Sequence, residues 1–208
     1  MSTTSVTANG VGESTPAPTS AYYSDDSVSS SLPVLDESSL PIWNTRLTSD
    51  FPSMRVPIMA APMADVSGGR LAAAVCAAGA LGFISGGHLI SAEAVNSLER
   101  EIDIFRDESP DDAPLCLGFI CHSSLRDPKG WRRMERFLSQ HKPDVVQFSF
   151  PAILPWHTER GTTTNVDMVR ECVGGGCRVV AQVGSEEEAR AALEAGVDWI
   201  VAQVRRRR

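Results

Sequence analysis

From about residue 40 onward, short continuous apolar runs alternate with longer amphipathic or small-residue stretches. The runs Val56–Ala60, Leu81–Ser85, Leu115–Ile120, Val145–Phe150, Arg178–Val183 and Trp199–Gln203 have the length and unbroken apolarity of strands buried on both faces, as a parallel sheet requires. Helices are predicted between them. Gly69–Ala78 is rich in alanine and stops at Gly79, the residue type favoured just past a helix end. Ser91 is placed to cap a helix running to about Arg106. Between Pro128 and Gln140, Trp131, Met134, Phe137 and Leu138 fall at three- and four-residue spacing and make one apolar face. Asn165 is placed to cap a helix ending near Gly174, and Ser185-Glu186-Glu187-Glu188 reads as a capping box opening a helix that ends at Ala195-Gly196.

The repeated strand–helix unit places the chain in the α/β class, and both a doubly wound sheet and a barrel accommodate it. Residues 1–40 differ sharply: Ser, Thr, Pro, Gly and Asp dominate and Tyr22 and Tyr23 are the only large aromatics. Such a segment buries too little surface to offset its ordering entropy. The expected organisation is therefore a disordered tail over 1–40 and one folded domain over 41–208.

Charge narrows the function classes. The 208 residues carry a net charge of −7, and four of the 19 basic residues form the final run Arg205–Arg208, so the body is more acidic still. A nucleic-acid binder would carry a basic face instead. No apolar run approaches the roughly 20 residues that cross a bilayer, and the start Met1-Ser2-Thr3-Thr4 has no secretory pattern; a cytoplasmic protein is the expectation. The five cysteines, Cys76, Cys116, Cys121, Cys172 and Cys177, form no Cys-x-x-Cys pair, which reads as free thiols with no metal site.

In either architecture the chemistry sits in the loops at the carboxyl ends of the strands. Those loops begin Ala61-Pro62-Met63-Ala64, Gly86-Gly87-His88, Cys121-His122-Ser123-Ser124 and Pro151 through Trp156-His157, whereas His141 falls at the opposite end. Proline fixes chain direction and small residues admit a flat ligand close to the backbone, yet an ordinary turn explains Ala61–Ala64 as well. No G-x-G-x-x-G follows a strand, which disfavours a dinucleotide site, and Gly174-Gly175-Gly176 lies at the wrong end for a phosphate cradle.

Taken in series, Asn44-Thr45-Arg46-Leu47-Thr48, Val56-Pro57-Ile58-Met59-Ala60-Ala61-Pro62-Met63-Ala64, Leu71–Val75, Ala78–Ile84, Leu117–Ile120, Val180–Ser185 and Ala195–Gln203 resemble the nitronate monooxygenase (2-nitropropane dioxygenase) family. The resemblance spans about residues 43–203. It implies an FMN enzyme on a TIM-type (β/α)8 barrel that oxidises alkyl nitronates with O2 to carbonyl compounds and nitrite. It further implies that Ala61, Pro62 and Met63 lie against the flavin ring and that Gln203 and Gln182 contact the cofactor. A glutamine amide both donates and accepts, which suits flavin ring atoms.

The family continues past the glutamine matching Gln203 into a Gly-Gly-His stretch whose histidine is the catalytic base. Here Val204 and four arginines follow, so no catalytic residue is assigned. About six of the eight βα units are present, and the expectation is an incomplete, C-terminally truncated barrel of impaired activity whose open edges self-associate. An inactive fragment, or another FMN barrel enzyme such as an enoyl-ACP reductase relative, are the alternatives.

Overall fold

A computed structural model describes residues 43–89, 91–121, 128–158 and 161–203, with the side chains of 156–158 excepted. The expected tail over 1–40, His122 and the arginine run lie outside the described residues.

The apolar runs become the parallel strands β1 (Ile84–Gly87), β2 (Cys116–Ile120) and β3 (Val145–Ser149), then β6 (Arg178–Val183) and β7 (Trp199–Ala202). An antiparallel hairpin, β4 (Pro155–Thr158) with β5 (Gly161–Thr164), stands apart from that sheet. The sheet order is β1-β2-β3-β6-β7, following the chain without reversal. A doubly wound sheet would reverse at a switch point; this order is that of a barrel wall, and the chain is an arc of a (β/α) barrel.

The expected strand Val56–Ala60 is reduced to one parallel bridge, Met59 with Leu81. Its hydrogen bonds are Ala60 N–H to the Leu81 carbonyl and Leu81 N–H to the Ile58 carbonyl, both at 2.9 Å. Toward the carboxyl end Pro62 has no N–H to give, and toward the amino end Ile58 N–H turns back to the Val56 carbonyl at 2.8 Å, so the ladder extends in neither direction. This segment nonetheless extends the arc, beside β1.

Helices α2 (Gly69–Ala77), α3 (Ala92–Glu108), α4 (Pro128–His141), α5 (Asn165–Cys172) and α6 (Glu186–Glu194) fall where the periodicity predicts them, and a short α1 (Arg46–Asp50) precedes them. Ser91 and Ser185 cap α3 and α6 as expected, each hydroxyl accepting from an N–H three residues on. The reciprocal half of the α6 box shifts by one residue, with Glu188 Oε2 accepting from Gly184 N–H at 2.6 Å. At α5 the cap is Thr164, boxed with Asp167, and not Asn165. Asn165 is fully buried and its amide serves the neighbouring loop instead.

Strand alternation divides the core. Leu117, Phe119, Val146, Phe148 and Val179 face outward and pack under the helices with Ile102, Phe105, Trp131, Met134, Phe137 and Leu138. Leu81, Phe83, Cys116, Val145 and Val180 face inward, and Leu47 and Phe51 from α1 and its cap close that cluster. Phe51 meets Trp199 edge to face at 5.7 Å between ring centres.

Asp198, just ahead of β7, ties neighbouring units together. It accepts from Arg170 Nη2 at 2.6 Å and from Val179 N–H at 2.7 Å, and Arg178 lies 3.6 Å away while also bonding Asp50. Asp198→Ala strands the Val179 N–H and removes the carboxylate partner of Arg170, which keeps the Cys177 and Gly196 carbonyls, at a site where the carboxylate is 13% exposed. Discounted for the partial exposure of Arg170, the expected loss is about 2–3 kcal/mol. It should be read as a lower urea midpoint at unchanged m-value, with Asp198→Asn losing less because its amide oxygen still accepts from Val179.

Candidate cofactor site at the carboxyl ends of the strands

Toward the carboxyl ends of the strands the inward face turns from apolar to small and polar. Ser85, Gly118 and Gln147 are register partners across β1, β2 and β3. Beside Gln147 the next strand presents Val180, and Gln182 lies one inward step further along it. Gln147 is 4% exposed and donates through Nε2 to Gln182 Oε1 at 3.3 Å. Neither Gln147 Oε1 nor Gln182 Nε2 has a hydrogen-bond partner among the described residues. One acceptor and one donor are left unspent on adjacent strands.

The loop after the first segment folds onto this face. Pro62 seats on Gly118 so closely that a Cβ added there would meet Pro62 Cβ and Cγ at 2.3 Å. Ser67, 3% exposed, staples the loop: its hydroxyl donates to the Ala61 carbonyl at 2.7 Å and accepts from Met63 N–H at 3.1 Å. Its own carbonyl accepts from Ser85 N–H at 2.8 Å, which fastens the staple to β1. Ala61 is thereby held at the surface, and Met63 and Val66 expose apolar side chains, as Phe150 does after β3.

The expected residues are thus partly assembled. Ala61–Met63 lies over β2 and Gln182 pairs with Gln147. Gln203 follows β7, its N–H bonded to the Val183 carbonyl at 2.8 Å and its side chain exposed. Gln147 and Ser67 were not singled out by sequence. Gln147 carries a readable signal, a lone amide in an apolar run beside its carboxyl end, whereas nothing marks Ser67 among the serines.

Asn165 braces the loop after β3, Oδ1 accepting from Leu154 N–H and Nδ2 donating to the Ala152 carbonyl, both at 2.8 Å. His88 is half-buried after β1. His141 lies at the opposite end as expected, stacked on Phe137 with ring centres 4.4 Å apart and 3.5 Å from Glu99.

All five cysteines are free, and no cluster of metal-ligand type occurs among the described residues. Burial pushes the Cys116 and Cys121 thiols well up and Cys177 to about 12. A raised pKa keeps the thiol protonated at neutral pH, so these are packing groups and not nucleophiles.

Parallel strands in chain order, helices outside and a small-and-polar inward face at the carboxyl ends define a (β/α)-barrel arc with its site where such barrels carry one. Residues 45–115 match the family model for nitronate monooxygenase. The chain is 30% identical to the nitronate monooxygenase of Neurospora crassa, over 76% of this chain and 45% of that protein. It is 32% identical to that of Paraburkholderia phytofirmans, over 71% and 44%. Among solved structures it is similar to nitroalkane oxidase from Streptomyces ansochromogenes, at TM-score 0.58 and 26% identity over 76% of this chain and 48% of that one. FabK from Thermotoga maritima is similar at TM-score 0.56 and 26% identity, over 77% and 44%. The chain is thus similar to nitronate monooxygenases over most of its described length and spans about half the length of the curated relatives it matches. No helix among the described residues is long and apolar enough to cross a membrane.

Proposed function

We propose that this chain supplies the ring-binding side of an FMN-dependent oxidoreductase that oxidises alkyl nitronates with O2 to carbonyl compounds and nitrite. The observation that carries the reading is Pro62 seated on Gly118 beside the Gln147–Gln182 amide pair. The residues fit such a group: exposed apolar side chains at Met63 and Val66 offer a platform to a flat ring. The unspent amide donor and acceptor suit the polar edge of that ring.

FMN, when bound, would supply the oxidation of the nitronate and the reaction with O2. The chain's own residues position it. Ala61, Pro62 and Met63 back the ring, with Ser67 holding the loop at its height. Gln182 and Gln147 hold the ring's polar edge, and Gln203 adds a further amide after β7. The proton-abstracting role is given to no described residue.

The two structural likenesses are nearly equal in TM-score, so the nitronate substrate rests on the family match and the curated relatives, not on shape. The test is an FMN titration of the full chain, followed by nitrite release from an alkyl nitronate. A perturbed flavin spectrum is expected. Gln147→Leu and Gln182→Leu are each expected to weaken FMN by roughly tenfold, the worth of one net hydrogen bond at the upper end of its range. Unchanged affinity in both variants would remove the amide pair from the site. Flavin binding with nitrite released would support the substrate, and flavin binding with no turnover of nitronate would not.

A further inference from the structure

The outer wall of the arc carries a second concavity, between α3 and α4. It has a volume of about 420 Å³, with Val95 and Phe137 on its floor and Lys129, Arg132, Arg133 and Arg136 along its α4 side. This volume is the size of a single small-molecule site. The four cations fall at i, i+3, i+4 and i+7 of one helix, so they form one stripe. In a chain of net charge −7 that concentration stands out.

Two observations separate this stripe from a solvated helix face. Arg132 and Arg136, one turn apart and both exposed, make no hydrogen bond or ion pair among the described residues, so two like charges face the same space uncompensated. The acid on the facing helix does not relieve them, because Glu99 is already engaged by Gln140 at 3.4 Å and lies 3.5 Å from His141. Arg133 is fixed by its bond to the Leu89 carbonyl at 3.3 Å.

We infer that this groove binds a phosphate-bearing small molecule, its phosphates on Arg132 and Arg136 and its apolar or aromatic body on the Val95–Phe137 floor. Planar guanidinium forks match phosphate oxygens two at a time, which a lysine stripe would not do. An acidic peptide fits less well, since the cations span only about 10 Å of helix and the floor beneath them is apolar. The site is on the opposite face of the sheet from the flavin region and does not depend on the reading given above.

The test is calorimetric titration of the full chain with ADP and with inorganic pyrophosphate at about 0.1 M salt. Both are expected to bind, ADP more tightly because only its base reaches the floor. The double variant Arg132→Gln, Arg136→Gln is expected to weaken each by at least about tenfold, while Arg106→Gln, an exposed cation elsewhere on α3, leaves both unchanged. The FMN titration is expected to be the same in the double variant, so either site can fail without the other. The inference is overturned if neither phosphate binds, if ADP binds no more tightly than pyrophosphate, or if Arg106→Gln weakens binding as much as the double variant. Binding of a poly-glutamate peptide without either phosphate would overturn it in favour of an acidic protein partner.

Discussion

Gly82→Ala is expected to lower the stability of the folded chain by about 3 kcal/mol, the upper end of the usual cost of overpacking. A Cβ at residue 82 would stand 2.1 Å from the Ala72 carbonyl oxygen, with that residue's carbonyl carbon and Cα at 2.7 and 2.8 Å. All three obstacles are backbone of α2, so no flexible side chain can swing aside and the helix itself must lift from β1. It cannot lift freely. In the same first turn of α2 a Cβ on Gly69 would fall 1.9 Å from the Glu101 carbonyl oxygen of α3, and Gly69 N–H is bonded to Glu101 Oε2 at 2.7 Å. The helix is wedged between a strand and a helix with bare backbone at both contacts. Thermal unfolding should show a midpoint lower by roughly 6–12 °C for a domain of this size, and Gly175→Ala, which meets nothing within 4 Å, should leave it in place. An unchanged midpoint for Gly82→Ala would mean that α2 does not rest against β1 at this distance.

Gly118→Ala is expected to act on binding more than on folding. Its Cβ collides with the Pro62 ring at 2.3 Å, and a proline ring has no alternative rotamer to adopt. The loop carrying Ala61 and Met63 is exposed and can rise, so stability should fall by only about 1 kcal/mol. Rising breaks the register between the Ala61–Met63 platform and the Gln147–Gln182 pair one strand away. FMN affinity is therefore expected to drop by about a hundredfold, or roughly 2.7 kcal/mol, in a variant whose urea midpoint moves little. Parallel losses in stability and affinity would instead make Gly118 a packing residue alone.

The main strands and helices were legible because each carries a single strong signal. Val145–Phe150 and Arg178–Val183 are mostly apolar runs with few polar positions, and Ser91 and Ser185 stand directly before amphipathic stretches. Where two signals competed, the reading slipped. Val56–Ala60 has strand composition, but Ile58 N–H turns back to the Val56 carbonyl and Pro62 offers no donor beyond Ala60, and one bridge survives. Asn165 has cap chemistry, but Thr164 beside it takes the cap and frees the amide to brace residues 152–154. The hairpin β4–β5 and helix α1 were missed because both are shorter than a period can establish, and α1 rests on a Thr45–Thr48 box in place of the usual acidic partner.

The barrel wall itself could not be chosen over a doubly wound sheet from periodicity, since both repeat the same unit. Strand order decides it, and strand order is a long-range property. The site divided in the same way. Ala61–Met63 was visible as a motif, whereas Gly118 owes its role to a proline more than fifty positions earlier in the chain, and Gln147 to an amide on a strand that follows a hairpin and a helix.

That strands neighbour one another in chain order also bears on how the molecule acquires its shape. Each strand of the sheet finds a partner that precedes it directly in the wall, and the widest gaps between paired strands run only from Gly87 to Cys116 and from Ser149 to Arg178. Loop closure over such spans costs little more than over shorter ones, and contacts of this modest separation favour fast assembly. A ribosome releases the chain from its amino end, so every strand that emerges meets an edge already formed and awaiting it. The wall can be laid one stave at a time, with no strand required to wait for a partner not yet synthesised.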